Sequence, residues 1–369
     1  PGAWSHMTIR RKLLNFGNRC TDFRIGTGAF SELSKMLAGA VGRPCRAFMI
    51  ADTELDEALL VQVRRSLIDA GYRVDELMLD GLEAARFTSV SRAYERLAAA
   101  GITSEDLVLG VGPAAVCSLA AFASHGWCGG TSCALIPTTL DAMVRLPTQM
   151  EPLSVAGDAH AVSVSPQVSL VVCDLDLVVS SDVEANGMGY VLICAAHLAE
   201  SRKCWEGFAG TVEGLAQHGE IAFIDAICTA QTSRLNTAKS ASPSARRAFM
   251  YGQTTARALS ACLGDAAIQP YRLYAEGMRF EARLAVDVCD FSVDEMFAQD
   301  DHLEDLGIEE LSFALDADAF IDALRAERFR RANRFQLALP KHPGIIRLSS
   351  VEDEVLERHA RAFLASRRP

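Results

Sequence analysis

The chain has 369 residues, 50% hydrophobic and 22% charged, with a formal net charge of −11. That is enough apolar material for two globular domains, and the acidic balance argues against nucleic acid or an anionic membrane as partners, since a phosphate backbone demands a basic patch. No apolar run reaches the ~18–20 residues that a membrane span needs. The first seven residues, PGAWSHM, lack a basic region followed by an apolar one and are set aside as a cloning remnant, not a secretory signal. The 11 cysteines are scattered without a CxxC pair, and Cys117, Cys173, Cys194 and Cys262 sit in apolar surroundings. They read as reduced thiols of a cytoplasmic protein.

Along the chain, FRIGTGAFSEL gives a strand and a glycine turn at Gly26 and Gly28, and CRAFMIAD a strand ending at Asp52. EALLVQVRRSLIDAG follows with Leu60, Val63 and Leu67 at helical spacing and Gly71 as its stop. VDELMLD is a strand, and SVSRAYERLAAAG a helix stopped by Gly101. Then come LVLGVG, a helix over 113–125, CALIPTT and SLVVCDLD. Short apolar strands alternating with helices predict a parallel sheet covered on both faces. Beyond residue 178 strand signals nearly vanish. The expected fold is therefore α/β: a Rossmann-like parallel-sheet domain at 8–178 and an all-helical domain at 179–369, with a ligand in the cleft between them. SRLNTAKSASPSA, 233–245, reads as a polar loop or lid.

The run LVLGVGPAAVCSLAAF, then CALIPTTL, resembles the dehydroquinate synthase family, the sugar phosphate cyclases, which run Gly-Gly-Gly-Val, helix, strand, Pro-Thr-Thr-Leu. The resemblance extends along nearly the whole chain. It implies NAD as cofactor, with Asp52 toward the adenosine ribose and Glu83 and Arg86 as a second adenosine contact. Gly110 and Gly112 would form the phosphate loop, and Thr138, Thr139 and Ser180 would lie near the nicotinamide. Two departures imply impaired NAD binding: Pro113 has no N–H to offer a phosphate, and Ser118 stands where the family has an aspartate.

The family's metal site is altered further. Its Gly-His-Thr-x-Gly-His-Ala motif aligns with Gly252–Ala258, so Gln253 replaces a ligand histidine and Arg257 the second histidine. The later ligand histidine falls on Pro270, and the ligand glutamate on Tyr190 or, with a two-residue slip, Leu192. Such side chains are poor metal ligands, so no divalent metal is expected, and NAD, bound weakly, is the one cofactor the resemblance leaves open. The family aspartate after Pro-Thr-Thr-Leu becomes Arg145, a following lysine Glu151, and an arginine Gly129. Another lysine becomes Ile193 or Ala195, whereas Arg246 matches a family substrate-anion contact.

Arg246, Met250, Gln253 and Arg257 have offsets that share one face of a helix over 246–263, with Phe249, Gly252, Ala256, Leu259 and Leu263 facing inward. Two arginines on one stripe suit a carboxylate or phosphate, against the plainer reading of salt-bridged or solvated surface. Arg246, Arg257, Gln253, Arg145 and Tyr190 are thus the candidate catalytic residues. Of the histidines, His197, three residues before Glu200, takes a surface or cap role, His125 reads as a helix-end cation, and His160 is unassigned. The expectation is a divergent enzyme acting without a metal on a small anionic metabolite, suited to natural-product metabolism and homodimeric by resemblance. The alternative is an inactive relative serving as a binding or partner subunit.

Overall fold

The computed structural model describes residues 9–156, 158–264, 268–327 and 335–369. The readings of residues 1–7 and of the His160 side chain fall outside what is described. Two compact units divide the chain, Pro1–Ser180 and Ser181–Pro369.

The first unit is built on a seven-stranded sheet. In chain order its strands are β1 (Arg10–Asn15), β2 (Cys20–Gly26), β3 (Arg46–Asp52), β4 (Arg73–Leu79), β5 (Leu107–Gly112) and β6 (Ser132–Pro137). A hairpin of β7 (Leu153–Val155) and β8 (Asp158–Val162) stands apart, and β9 (Leu170–Asp174) completes the sheet. The spatial order is β1-β2-β9-β6-β5-β3-β4, with every pairing parallel except β1 on β2. All of β5 is buried, as is β3 from Ala47 to Asp52. These strands therefore carry unbroken apolar runs instead of alternation, as expected of a sheet covered on both faces. The Rossmann-like α/β reading holds. β1 and the small hairpin carried too little apolar signal to be found in the sequence.

The second unit centres on the Pro270–Cys289 helix, most of whose residues are buried. Proline suits its first turn, where no intrahelical donor is needed. Phe280 on this helix packs against Phe320 and Phe363, with ring centroids 5.7 and 5.2 Å apart. Helices dominate, but a hairpin of β10 (Gln336–His342) and β11 (Ile345–Ser350) corrects the all-helical expectation. Its turn at Pro343-Gly344 and its β-branched Ile345-Ile346 were the available signals. The predicted loop at 233–245 also needs correction, because the Glu220–Lys239 helix runs through half of it. The hydroxyls of Thr232 and Thr237 donate to the carbonyls of Cys228 and Ser233, so these turn-favouring residues are satisfied inside the helix. All 11 cysteines are free thiols.

Candidate functional site

After β3 the chain moves outward to β4, then returns to the other side of β3 as β5. Such a reversal opens a crevice at the carboxyl ends of the strands. Asp52 ends β3, is 7% exposed, and accepts the Glu54 amide at 3.2 Å. Gly112 ends β5 at φ 148°, and a Cβ there would stand 3.0 Å from the Cβ of Asp52. Only glycine lets the two strand ends approach this closely. Gly110 has a different job: a Cβ would lie 2.8 Å from Ala120 Cβ, so it seats the following helix on the sheet. That helix, Ala114–Gly126, has no side-chain cap, and His125 lies exposed in its last turn. Pro113 precedes the helix at φ −67° and ψ 173°, with its carbonyl accepting the Cys117 amide at 3.1 Å. Its missing N–H therefore lies outside the first helical turn, whose own amides are intact.

Neighbouring strand ends complete this edge. The Thr138 amide donates to the Gly112 carbonyl at 3.0 Å, tying β6 to β5. The hydroxyl oxygens of Thr139 and of Thr27, just after β2, are buried with no hydrogen-bond partner among the described residues. Asp174, ending β9, accepts the amides of Gly28, Phe30 and Asp176 at 3.1, 2.8 and 3.0 Å. Burial pushes its carboxyl above the usual range against those donors. Gly81 lies beside the Pro113 ring. Glu83, close by, pairs with Arg92. Arg86 is exposed and bridges Ser154 through its backbone, and Ser180 is exposed beyond the Leu175–Leu177 turn. Asp52, Gly112, Thr138 and Thr139 thus share one edge, Gly110 seats the helix on the sheet behind it, Glu83 turns to Arg92, and Arg86 is exposed.

Arg145 closes the short Leu140–Arg145 helix and forms an ion pair with Glu151. Their side chains are 13% and 23% exposed. Ser118 accepts the Glu151 amide at 2.8 Å, and the Thr148 hydroxyl donates to the Arg145 carbonyl at 2.8 Å. The three replaced positions 118, 145 and 151 therefore belong to one cluster, which their sequence separation concealed.

In the helical unit the continuous 246–263 helix does not form. Pro243–Arg246 is one short turn, Arg247–Met250 a 3-10 turn, and a separate helix spans Gln253–Leu263. The break is at Gly252, φ 81°, where a Cβ would lie 2.6 Å from Met278 Cγ. The Pro270–Cys289 helix crosses so closely there that only glycine fits, and the proposed arginine stripe is interrupted. From that crossing helix Glu281, 0% exposed, accepts the amides of Gly252 and Thr255 and the Thr255 hydroxyl, capping the Gln253–Leu263 helix. Burial pushes its carboxyl up to about 8. Gln253, expected on the polar face, is instead 9% exposed, with its amide donating to the Phe249 carbonyl at 2.9 Å and to the Tyr274 hydroxyl at 3.4 Å. Ala256 and Leu263, expected inward, are only partly buried. Arg246 is exposed and donates to the Ser240 and Ala241 carbonyls. Arg257 pairs with Glu327 at 4.0 Å.

Tyr190 is 5% exposed, its hydroxyl accepting from Asn186 at 3.5 Å, and burial raises its phenol. His197 is buried rather than at the surface, because the Val183–Glu200 helix is apolar nearly all round. Its Nδ1 meets the Ile193 carbonyl at 2.8 Å, its ring lies 4.5 Å from that of Phe208, and burial pushes it down to about 4. Among the described residues no group of three or more His, Cys, Asp or Glu is placed to hold a metal. No helix among them is long and apolar enough to cross a membrane.

No family model matches the chain. It is 25% identical to the 3-dehydroquinate synthase of Streptococcus gordonii over 221 residues, 56% of this chain but only 59% of that enzyme. The Streptococcus pneumoniae enzyme is 25% identical over 272 residues, 70% of this chain and 73% of its own. A 2-deoxy-scyllo-inosose synthase complexed with carbaglucose-6-phosphate, NAD+ and Co2+ superposes with a TM-score of 0.83 at 16% identity, covering 96% of this chain and 99% of its own. The 2-epi-5-epi-valiolone synthase of Streptomyces hygroscopicus subsp. jinggangensis, with NAD+ and Zn2+ bound, gives 0.79 at 16% identity over 94% and 97%. Sequence relatives and fold agree with the motif at β5 and β6: the chain is similar to dehydroquinate synthases and has the fold of the sugar phosphate cyclases.

Proposed function

We propose that this sugar phosphate cyclase-like protein keeps a dinucleotide site in its first unit, works without a divalent metal, and binds or acts on a small anionic metabolite. The observation carrying this reading is the junction of Asp52 with Gly112 beneath the uncapped helix. The carboxylate suits a ribose diol, the glycine admits close approach, and the amides of Ala114, Ala115 and Val116 suit a pyrophosphate. The residues present fit NAD, which when bound supplies a hydride acceptor.

A metal does not fit. Gln253 is bonded to Phe249 and Tyr274, Pro270 opens a helix, and neither Tyr190 nor Leu192 is an ordinary ligand for such an ion. A role in natural-product biosynthesis accords with a cyclase scaffold whose reactive positions have been replaced.

Calorimetric titration with NAD should give saturable binding that Asp52→Ala weakens ~10-fold, or ~1.4 kcal/mol. Elemental analysis of the dialysed protein should find zinc and cobalt well below stoichiometric. No NAD binding, or roughly one tightly held divalent ion per chain, would overturn the corresponding half. The second reading, a non-catalytic binding or partner subunit, is favoured by the Gln253 side-chain NH2 donating inside the protein, to Phe249 and Tyr274. It predicts NAD binding with no reduced-nicotinamide absorbance on adding sugar phosphates.

A further inference from the structure

We propose that Arg145 is an oxyanion-binding residue of the first unit, held ready by Glu151. Arg145, its side chain 13% exposed, has a buried donor left unanswered among the described residues. Its Nη1 meets Glu151, while its Nε is buried and has no hydrogen-bond partner among the described residues. Buried donors are nearly always satisfied, and one left open calls for a ligand or a solvent molecule. A guanidinium has two planar edges, each matched to a pair of oxygens. Glu151 engages one end and fixes the orientation, so the Nε side remains for a second acceptor. Ser118 holds the backbone of Glu151, and Thr148 holds that of Arg145, so the pair is braced from both sides. The unpartnered Thr139 hydroxyl, at the start of the same short helix, is a further polar group without an internal role.

The pair also has a meaning relative to the family pattern. Where that pattern has aspartate followed by lysine, this chain has arginine followed by glutamate, and the two side chains touch. Position 145 thus presents a donor where the family pattern has an acceptor. The ligand group facing it must therefore supply oxygen lone pairs, as a carboxylate or a phosphoryl group does. This deepens the reading of a small anionic metabolite and rests on it. It also places the anion contact on the first unit and not on Arg246 or Arg257.

The test uses the full chain, with orthophosphate and acetate as separate probes, read as the concentration that half-saturates the rise in unfolding temperature. Arg145→Lys retains a cation to face Glu151 but has no second planar edge, and it should need at least ~10-fold more of the preferred probe. Arg145→Met should behave likewise. Glu151→Gln leaves the guanidinium uncompensated and should lower the half-saturating concentration ~3- to 10-fold. The probe with the larger response identifies the oxyanion as phosphoryl or carboxylate. Half-saturation unchanged from wild type in folded Arg145→Lys would overturn the proposal, even if Arg145→Met fails to fold. NAD titration of the wild type separates the two ideas. NAD binding with Arg145-independent anion response sinks only this inference, and the reverse pattern sinks only the dinucleotide reading.

Discussion

The two units answer their buried acids in different ways. In the sheet unit the main chain does it. Asp174 accepts three amides, and Asp106 accepts those of Arg46 and Thr103 at 3.0 and 2.8 Å. In the helical unit side chains dominate: Glu276 meets Arg279 at 3.0 Å and Arg367 at 2.6 Å, and Asp300 meets Arg283 at 2.7 Å. The cause is local geometry. Turns at strand ends leave amides unused, whereas helix interiors commit every amide to the carbonyl four residues back. Glu281 follows the same rule, for its amide donors lie at a helix start, where free amides exist. A unit whose turns carry spare amides can offer them to a ligand. One that consumes its charges internally is organised for stability.

The largest expected effect tests the side-chain half of that contrast. Glu276→Ala would remove the carboxylate shared by Arg279 and Arg367, 0% and 3% exposed, leaving Arg367 to Glu310 and Arg279 to Asp300 at 3.8 Å, and should cost ~3 kcal/mol in urea unfolding. A loss below ~1 kcal/mol, the range of surface pairs, would break the contrast.

The pH dependence of the helical unit should be two-sided. His197 titrates near 6.5 when unfolded and at about 4 when folded. The unfolded chain binds the extra proton, so this contribution is fully present above pH 6.5 and is lost as pH falls through 4, up to ~3 kcal/mol. Glu281 has the opposite sign: raised from 4.5 to about 8, its contribution is present below 4.5 and lost as pH rises through 8. His197→Phe should flatten the acid limb and Glu281→Gln the alkaline limb, as read by thermal unfolding against pH. If both variants kept the wild-type profile, other groups would govern it.

In the sheet unit Asp174→Asn keeps one acceptor oxygen for three amides and should cost ~1–2 kcal/mol. Because its partners are amides and not arginines, the loss should change less with added salt than that of Glu276→Ala. Equal salt dependence would show that the distinction is not electrostatic.

The strands of the main sheet were legible because burial on both faces writes them as continuous apolar runs, as in Leu107–Val111 and Ser132–Pro137. Gly112 and Asp52 were legible as strand ends. The Arg145–Glu151 contact was not, since nothing in the spacing of residues 118, 145 and 151 says that they meet. Nor was the break at Gly252. A glycine inside a helical pattern is ordinarily tolerated at a cost near 1 kcal/mol, and its cause is a helix crossing 26 residues later, at Met278. The Glu276 network was equally hidden, because its partners Asp300, Glu310 and Arg367 come from distant segments.

The smallest effect concerns Arg246, the residue the family pattern singled out as an anion contact. Its Nη1 donates to the Ser240 and Ala241 carbonyls at 2.7 and 3.3 Å, and the side chain is exposed. Water can replace such bonds, so Arg246→Met should lower stability by no more than ~0.5 kcal/mol. The carbonyls it meets follow the Glu220–Lys239 helix, so the bonds mainly shape the turn into Pro243–Arg246. Orthophosphate half-saturation should stay within ~2-fold of wild type, whereas Arg145→Lys moves it ~10-fold. A large response at Arg246 and none at Arg145 would return the anion to the helical unit. The contrast would then be reversed, with an exposed helical arginine serving the ligand and the largely covered Arg145 of the sheet unit serving only the fold.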